Sequence, residues 1–210
     1  MGAEMADFEH AYAPVRQFEG GWCDIPGDRG GETYAGIARA FWPDWEGWSL
    51  VDAAKRHTSF SEGARTFSRH LESIPGLQDM VASWYRREWW ERMGLASLPQ
   101  VLADEIFEQA VNLGQGGAGR YLQRLCNALN YDRSSHKALF PDLAEDGAIG
   151  SKTLEALSLL LARRCSPEDM VHWLNCLQGA HYVAIAAKNQ DNRQFLDGWR
   201  SRTYGPGHNN

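Results

Sequence analysis

Residues 17–37 read "QFEGGWCDIPGDRGGETYAGI". Gly20, Gly21, Gly27, Gly30, Gly31 and Gly36 fall here with Pro26, a density of turn-forming residues that excludes a helix and fits a short, tightly turned hairpin. Upstream, Phe8, Ala11, Tyr12, Val15 and Phe18 recur at a spacing of three to four, which predicts an amphipathic helix from about Asp7 to Glu19. Pro14 removes a backbone hydrogen bond inside that helix, so a kink or a restart is expected there. Gly20 and Gly21 then end it. Glu19 therefore stands at a hinge, with a helix behind it and a loop carrying Asp24, Asp28 and Thr33 ahead.

Beyond the hairpin the pattern is helical to the end of the chain. Ser49 and Asp52 have the spacing of a capping box. Met80, Trp84 and Glu88, with Val81, Tyr85 and Trp89, form i, i+4 stripes that close at Gly94. Leu102, Ile106, Ala110 and Leu113 define a further face ending at Gly114, and Leu122, Leu125 and Leu129 define the next. Between them "GQGGAG" has neither a preceding strand nor a G-K-[ST] ending, so it reads as a helix–helix turn rather than a phosphate loop. An apolar run from Leu154 to Leu161 follows "DGAIGSKT", and "SPEDMVHWL" sets Ser166 at an N-cap, Pro167 at the first helical position and Asp169 two residues on, opening a long helix to about Asn189. The expected class is α+β, mainly α, with the hairpin as the one β element. Gly94 and Pro99 bracket the expected boundary, giving residues 1–98 and 99–206 as two regions packed as one unit.

Composition narrows the function. With 210 residues and 43% hydrophobic content the chain can bury a sizeable core. A net charge of -6 argues against a nucleic-acid surface, which needs clustered cations. Cys23, Cys126, Cys165 and Cys176 are too scattered for a zinc site or a redox pair and read as reduced, mostly packed thiols. The seven histidines form no spaced cluster, no H-E-x-x-H or G-x-S-x-G occurs, and "EDGAIG" lacks the alternating ligands of a calcium loop. No metal and no cofactor are expected. The first thirty residues hold no basic start followed by an apolar core, and no stretch of eighteen apolar residues occurs. The expectation is a protein made in the cytoplasm without a signal peptide and spanning no membrane.

The hinge supplies chemistry. A glutamate in the last turn of a helix sits beside the negative end of the dipole, which disfavours its charged form and lets it keep a proton to donate. Asp28, on a solvated loop, is expected to stay ionised, so the two carboxyls divide into acid and anion. Thr33 offers a hydroxyl that can orient water. Cleavage of a glycosidic bond needs that set: an acid at the leaving oxygen and a second polar group opposite.

"EGGWCDIPGDRGGETYAGI" resembles the signature of the glycoside hydrolase family 108 muramidases, and its Glu, Asp, Thr order is similar to that of phage-type lysozymes. "YRREWWERMGLASLP" resembles the family's aromatic helix. "FEQAVNLGQGGAGRYLQRLCNAL" and "EDGAIGSKTLEAL" are similar to the peptidoglycan-binding region that usually follows, and "NRQFLDGWRSR" matches the usual ending. The resemblance implies a lysozyme-like fold, with a small N-terminal β-hairpin lobe and a helical lobe, that hydrolyses the β-1,4 bond between N-acetylmuramic acid and N-acetylglucosamine. It implies Glu19 as catalytic acid, Asp28 or Asp24 as second carboxylate and Thr33 as supporting hydroxyl. Trp22 and Tyr34 are expected to stack on sugar, unless Trp22 ties the hairpin to the core. Tyr34 stands where the family usually has Asn, and Glu108 where it has Asp. Asn112 and Gln123 are expected either at the cleft or in a buried polar network, and Asp146 to Thr153 either at glycan or in a turn. The partner implied is the peptidoglycan glycan strand, met by a monomer. Two rivals are a lytic transglycosylase on the same bond and a non-catalytic wall-binding module. An enzyme of this kind leaves the cytosol as an endolysin through a holin lesion, or as an antibacterial effector through a secretion machine, in which case an immunity protein is expected.

Overall fold

The computed structural model describes residues 5–18 and 20–203. They divide into two compact units, Tyr12–Glu88 and the remainder.

Helix α1 (Phe8–Phe18) belongs to both units by sequence, and runs through Pro14 as one helix instead of restarting there. In the Tyr12–Glu88 unit, β1 (Trp22–Cys23) pairs antiparallel with β2 (Thr33–Tyr34), in the register Trp22↔Tyr34 and Cys23↔Thr33. The expected hairpin is there, but a second one follows it: β3 (Ile37–Ala38) pairs back on β2 through the two-residue turn Ala35-Gly36. Both turn residues have positive φ, 47° at Ala35 and 76° at Gly36, the backbone that matches strand twist in so tight a turn. Ala35 is uncommon in that conformation, and its carbonyl accepts a hydrogen bond from the buried Tyr85 hydroxyl at 3.1 Å.

Helix α2 (Trp48–Ala54) starts two residues earlier than a Ser49 cap requires. Its N-cap is Gly47, without a side-chain cap, and the Ser49 hydroxyl donates instead to the Glu46 carbonyl. A Cβ at Gly47 would overlap the Trp45 ring. The tryptophans 42, 45 and 48 fix this corner: Trp48 Nε1 donates to the Trp42 carbonyl at 2.7 Å, and Trp45 stands edge-on to Trp48. Helices α3 (Ala64–Glu72) and α4 (Leu77–Tyr85) complete the unit, burying Phe67, Leu71, Leu77, Val81 and Trp84. The stripes predicted through Trp89 change period, because the chain continues from α4 as a π-helical turn at Arg86–Glu91.

The second unit is helical. Phe8 packs edge-on against Trp90 and Phe107. Helix α5 (Gln100–Leu113) buries Leu102, Ile106, Phe107 and Ala110 as its spacing predicts. Helix α6 (Gln115–Leu129) begins directly after Gly114, so "GQGGAG" is a turn only at its first residue and Gly116, Gly117 and Gly119 are helical. The reason is steric: a Cβ at Gly119 would overlap the carbonyl oxygen of Gly147. Helix α7 (Ser151–Arg163) is followed by α8 (Pro167–Lys188), whose N-terminus carries the predicted capping box between Ser166 and Asp169. A 3-10 turn at Gln190–Phe195 leads into α9 (Leu196–Arg202). The four thiols are free; Cys126 is buried, Cys23 and Cys165 half-buried, and Cys176 exposed rather than packed. Among the described residues no helix is long and apolar enough to cross a membrane.

Candidate active site

Glu19 lies outside the described residues. Its neighbours in the chain, Gly20 and Gly21, line a cleft of about 470 Å³ in the Tyr12–Glu88 unit, together with Tyr12, Arg16, Tyr34, Glu72 and Gln78. Gly21 has no room for a side chain. A Cβ there would overlap Ser68 of α3, whose hydroxyl accepts from Trp22 N–H at 2.8 Å. That contact sets where the chain leaves the cleft and enters β1.

The β1–β2 loop is a run of turns. Asp28 N–H donates to the Ile25 carbonyl (3.1 Å), Gly31 N–H to the Asp28 carbonyl (3.2 Å) and Gly30 N–H to Asp28 Oδ1 (3.3 Å). The last is an Asx-type turn, which fixes the carboxylate above its own loop. Gly30 is buried, and a Cβ placed on it would stand 3.5 Å from Thr33 Oγ1 and 4.0 Å from Asp28 Oδ2. Ala38 Cβ of β3 would stand nearer still, at 3.2 Å, so the glycine lets Ala38, Thr33 and Asp28 close around it. Asp28 and Asp24 are exposed, and Thr33, half-buried, donates to the Gly31 carbonyl at 3.2 Å. Cys23 is no activated nucleophile: burial pushes its thiol up, and the Asp28 and Asp24 carboxylates push it further.

Trp22 is half-buried. Its ring stands edge-on to Phe60 and Phe67, and Nε1 donates to Glu32 at 2.7 Å. Tyr34 is only 2% exposed, with Trp45 stacked at 6.5 Å and its hydroxyl accepting from Gln78 Nε2 at 2.6 Å. Burial raises the pKa of that hydroxyl, which keeps it protonated. Glu32 was not singled out in the sequence, yet it organises the loop. Its carboxylate, 10% exposed, also takes Lys55 Nζ at 2.8 Å and Arg39 at 2.9 Å.

Asn112 and Gln123 lie in the other unit, apart from one another. On α5, Asn112 donates to Glu108 Oε1 at 2.6 Å and accepts a hydrogen bond from Arg202 of α9; Glu108 in turn accepts from Gln178 of α8 at 3.1 Å. Burial raises the pKa of Glu108 in spite of Arg202, and pushes that of its buried neighbour Glu105 up to about 7. Gln123 on α6 is 2% exposed and spans the loop before α7: Nε2 donates to Asp146 Oδ1 (2.7 Å) and the Ala148 carbonyl (3.0 Å), and Oε1 accepts from Gly147 N–H (2.8 Å). Two more amides continue the row. Asn127 holds Leu143 by both N–H and carbonyl, and Asn130 holds Leu139 N–H and the Phe140 carbonyl. The spacing 123, 127, 130 puts all three on one helix face, a signal present in the sequence.

Residues 12–114 match the family described as Glycosyl hydrolase 108, and residues 117–204 the one described as Predicted Peptidoglycan domain. Comparison with curated proteins returns no match. Among solved structures, "Structure of Brucella abortus SagA" aligns with a TM-score of 0.51 at 20% identity, over 93% of this chain and 92% of that one. The fold is lysozyme-like α+β, mainly helical, and the two matched regions together define a glycoside hydrolase directed at peptidoglycan. Residues 12–114 form a glycosyl hydrolase 108 region, and residues 117–204 a peptidoglycan-binding region that follows it.

Proposed function

We propose that the chain is a muramidase, hydrolysing the β-1,4 bond between N-acetylmuramic acid and N-acetylglucosamine in the wall of a target bacterium, so that its role is bacteriolytic. Glu19 protonates the bridging oxygen. As that bond breaks, positive charge develops on the sugar ring, and the exposed Asp28 carboxylate offsets it or, with Thr33, positions the attacking water. The observation that carries this reading is that Asp28 Oδ2 and Thr33 Oγ1 both lie close to the buried Gly30, on the loop that follows Glu19. The order Glu19, Asp28, Thr33 puts an acid before that pair in the chain, and the cleft lined by Gly20, Gly21 and Tyr34, which Asp28 and Thr33 do not themselves line, offers a path for a glycan. Asp24, equally exposed but without a turn to hold its carboxylate among the described residues, is the weaker partner. Residues 1–98 then carry the chemistry and residues 99–206 hold the polymer.

The test is hydrolysis of purified sacculi by Asp28→Asn and Thr33→Ala variants. Loss of a group that assists proton transfer or charge development lowers kcat by about 100-fold or more. Asp28→Asn is expected in that range and Thr33→Ala at about tenfold, the loss of one hydrogen bond. Full activity in Asp28→Asn together with loss in Asp24→Asn transfers the second role to Asp24.

A further inference from the structure

The second unit holds a cavity that the proposed chemistry does not use. It measures about 730 Å³ and lies between the loop before α7 and α7 itself. Phe140, Pro141, Leu143 and Leu159 supply an apolar wall; Lys152 and Glu155 stand at its border, and the Asp142 and Asp146 carboxylates that also line it are taken up by Asn130 and Gln123. Both charged side chains are exposed, and neither has a hydrogen-bonding or ion-pair partner among the described residues. They are three apart on α7, within reach of each other, yet no ion pair joins them.

The wall is built in advance. Gln123, Asn127 and Asn130 hold its backbone at Leu139, Phe140, Leu143, Gly147 and Ala148. Gly119 and Gly116 bring α6 against Gly147 with no side chain between. A loop tied at so many points loses little entropy on binding, which is the condition for a useful subsite.

Peptidoglycan has two chemically distinct parts. Its N-acetyl sugars are neutral once the lactyl carboxyl is amidated, and such rings are gripped by flat aromatic faces. Its stem peptides carry the charge, as free carboxylates and the amine of a diamino residue, beside alanine methyls. Phe140 is the one aromatic side chain lining this cavity. An unpaired cation and an unpaired anion at the edge of an aliphatic wall complement the second part and not the first.

We infer that the cavity between the 139–148 loop and α7 binds the stem peptide of peptidoglycan, with Lys152 on a carboxylate, Glu155 on the diamino residue's ammonium, and Leu143 and Leu159 on the alkyl portions. This rests on the reading of the chain as a wall hydrolase, and assigns the peptide rather than the glycan to the C-terminal region.

The experiment uses the full chain, labelled for amide NMR and titrated with a soluble stem tetrapeptide containing a diamino acid, and separately with a peptide-free N-acetylated disaccharide. The peptide is expected to move resonances of residues 140–159 and the disaccharide to leave them unchanged. Lys152→Glu and Glu155→Lys, both at exposed positions, are each expected to weaken peptide binding about tenfold through a like-charge contact. Absence of peptide shifts in this region, equal shifts from the disaccharide, or indifference to both reversals overturns the assignment. Hydrolysis of sacculi is measured on the same preparations: hydrolysis without peptide binding rejects the cavity alone, whereas peptide binding without hydrolysis rejects the muramidase reading alone.

Discussion

Gly119→Ala and Gly116→Ala are expected to change stability in opposite directions, though they lie three residues apart in one helix. In an isolated helix either change gains up to about 1 kcal/mol from backbone entropy. At Gly116 nothing opposes the gain, since the nearest atom a new Cβ meets is the Arg120 guanidinium at 3.5 Å, ordinary contact with a flexible group. At Gly119 the Cβ overlaps the Gly147 carbonyl oxygen and stands 2.6 Å from its carbon and 3.0 Å from its Cα. These are backbone atoms, and they cannot swing aside: Gly147 is held by Gln123 at 2.8 Å and has φ of 84°, open to few residues other than glycine. Overpacking of this kind costs about 1–3 kcal/mol, and displacing the loop breaks further bonds to Gln123 at about 1 kcal/mol each. The net for Gly119→Ala is a loss of about 2–3 kcal/mol, or roughly 6–10 °C in Tm for a chain of this size. Calorimetry and urea unfolding of both variants measure it. A Gly119→Ala protein as stable as Gly116→Ala would show that the two backbones are not in contact.

Three further changes probe the polar interior. Gln123→Met leaves Gly147 N–H without its partner, removes one of the donors to the Ala148 carbonyl, which keeps Gly150 N–H, and should cost about 2 kcal/mol; it should also raise the Asp146 carboxyl toward its ordinary range, because Gln123 is the main group holding it low, as a carbon-detected titration would reveal. Glu105, raised from 4.5 to about 7 by burial, favours the folded state in its protonated form. Its contribution is therefore full below pH 4.5 and is lost as pH rises through about 7, a change of about 3 kcal/mol at most. Glu105→Gln should flatten the fall in unfolding free energy across that window, and an unchanged slope would remove Glu105 as its source. Glu32→Gln leaves Arg39 and Lys55 with Asp52 alone, and a loss of about 2 kcal/mol is expected in the Tyr12–Glu88 unit, screened in part because both cations are partly exposed; proteolysis of that unit reports it.

The helices were legible wherever burial and period agree. Leu102, Ile106 and Ala110 needed only 3.6-residue spacing, and Ser166 with Asp169 is a cap whose chemistry is local. What escaped depends on atoms distant in the chain. Ile37–Ala38 is too short for a strand to show as alternation, and exists because Ala35-Gly36 turns it back on Thr33–Tyr34. Ser49 has a capping residue's chemistry, but the corner of tryptophans starts the helix a residue before it. The glycines at 116 and 119 look like turn residues until Gly147, some thirty residues on, is seen to lie against them. The loop carrying Asp28 and Thr33 was legible as a loop, whereas the Glu32 node beneath it depends on Arg39, Lys55 and Trp22, three partners that no local pattern joins.

The most direct test is the product of Glu19. Sacculi digested with the protein and with Glu19→Gln are compared by mass spectrometry of the released fragments. Muropeptides ending in a reducing N-acetylmuramic acid, one water heavier than the anhydro form, are expected. Glu19→Gln is expected to release them about 100-fold or more slowly, the range of a lost general acid. Anhydro-muramic products, or sacculi released as fast by Glu19→Gln as by the native chain, would contradict it.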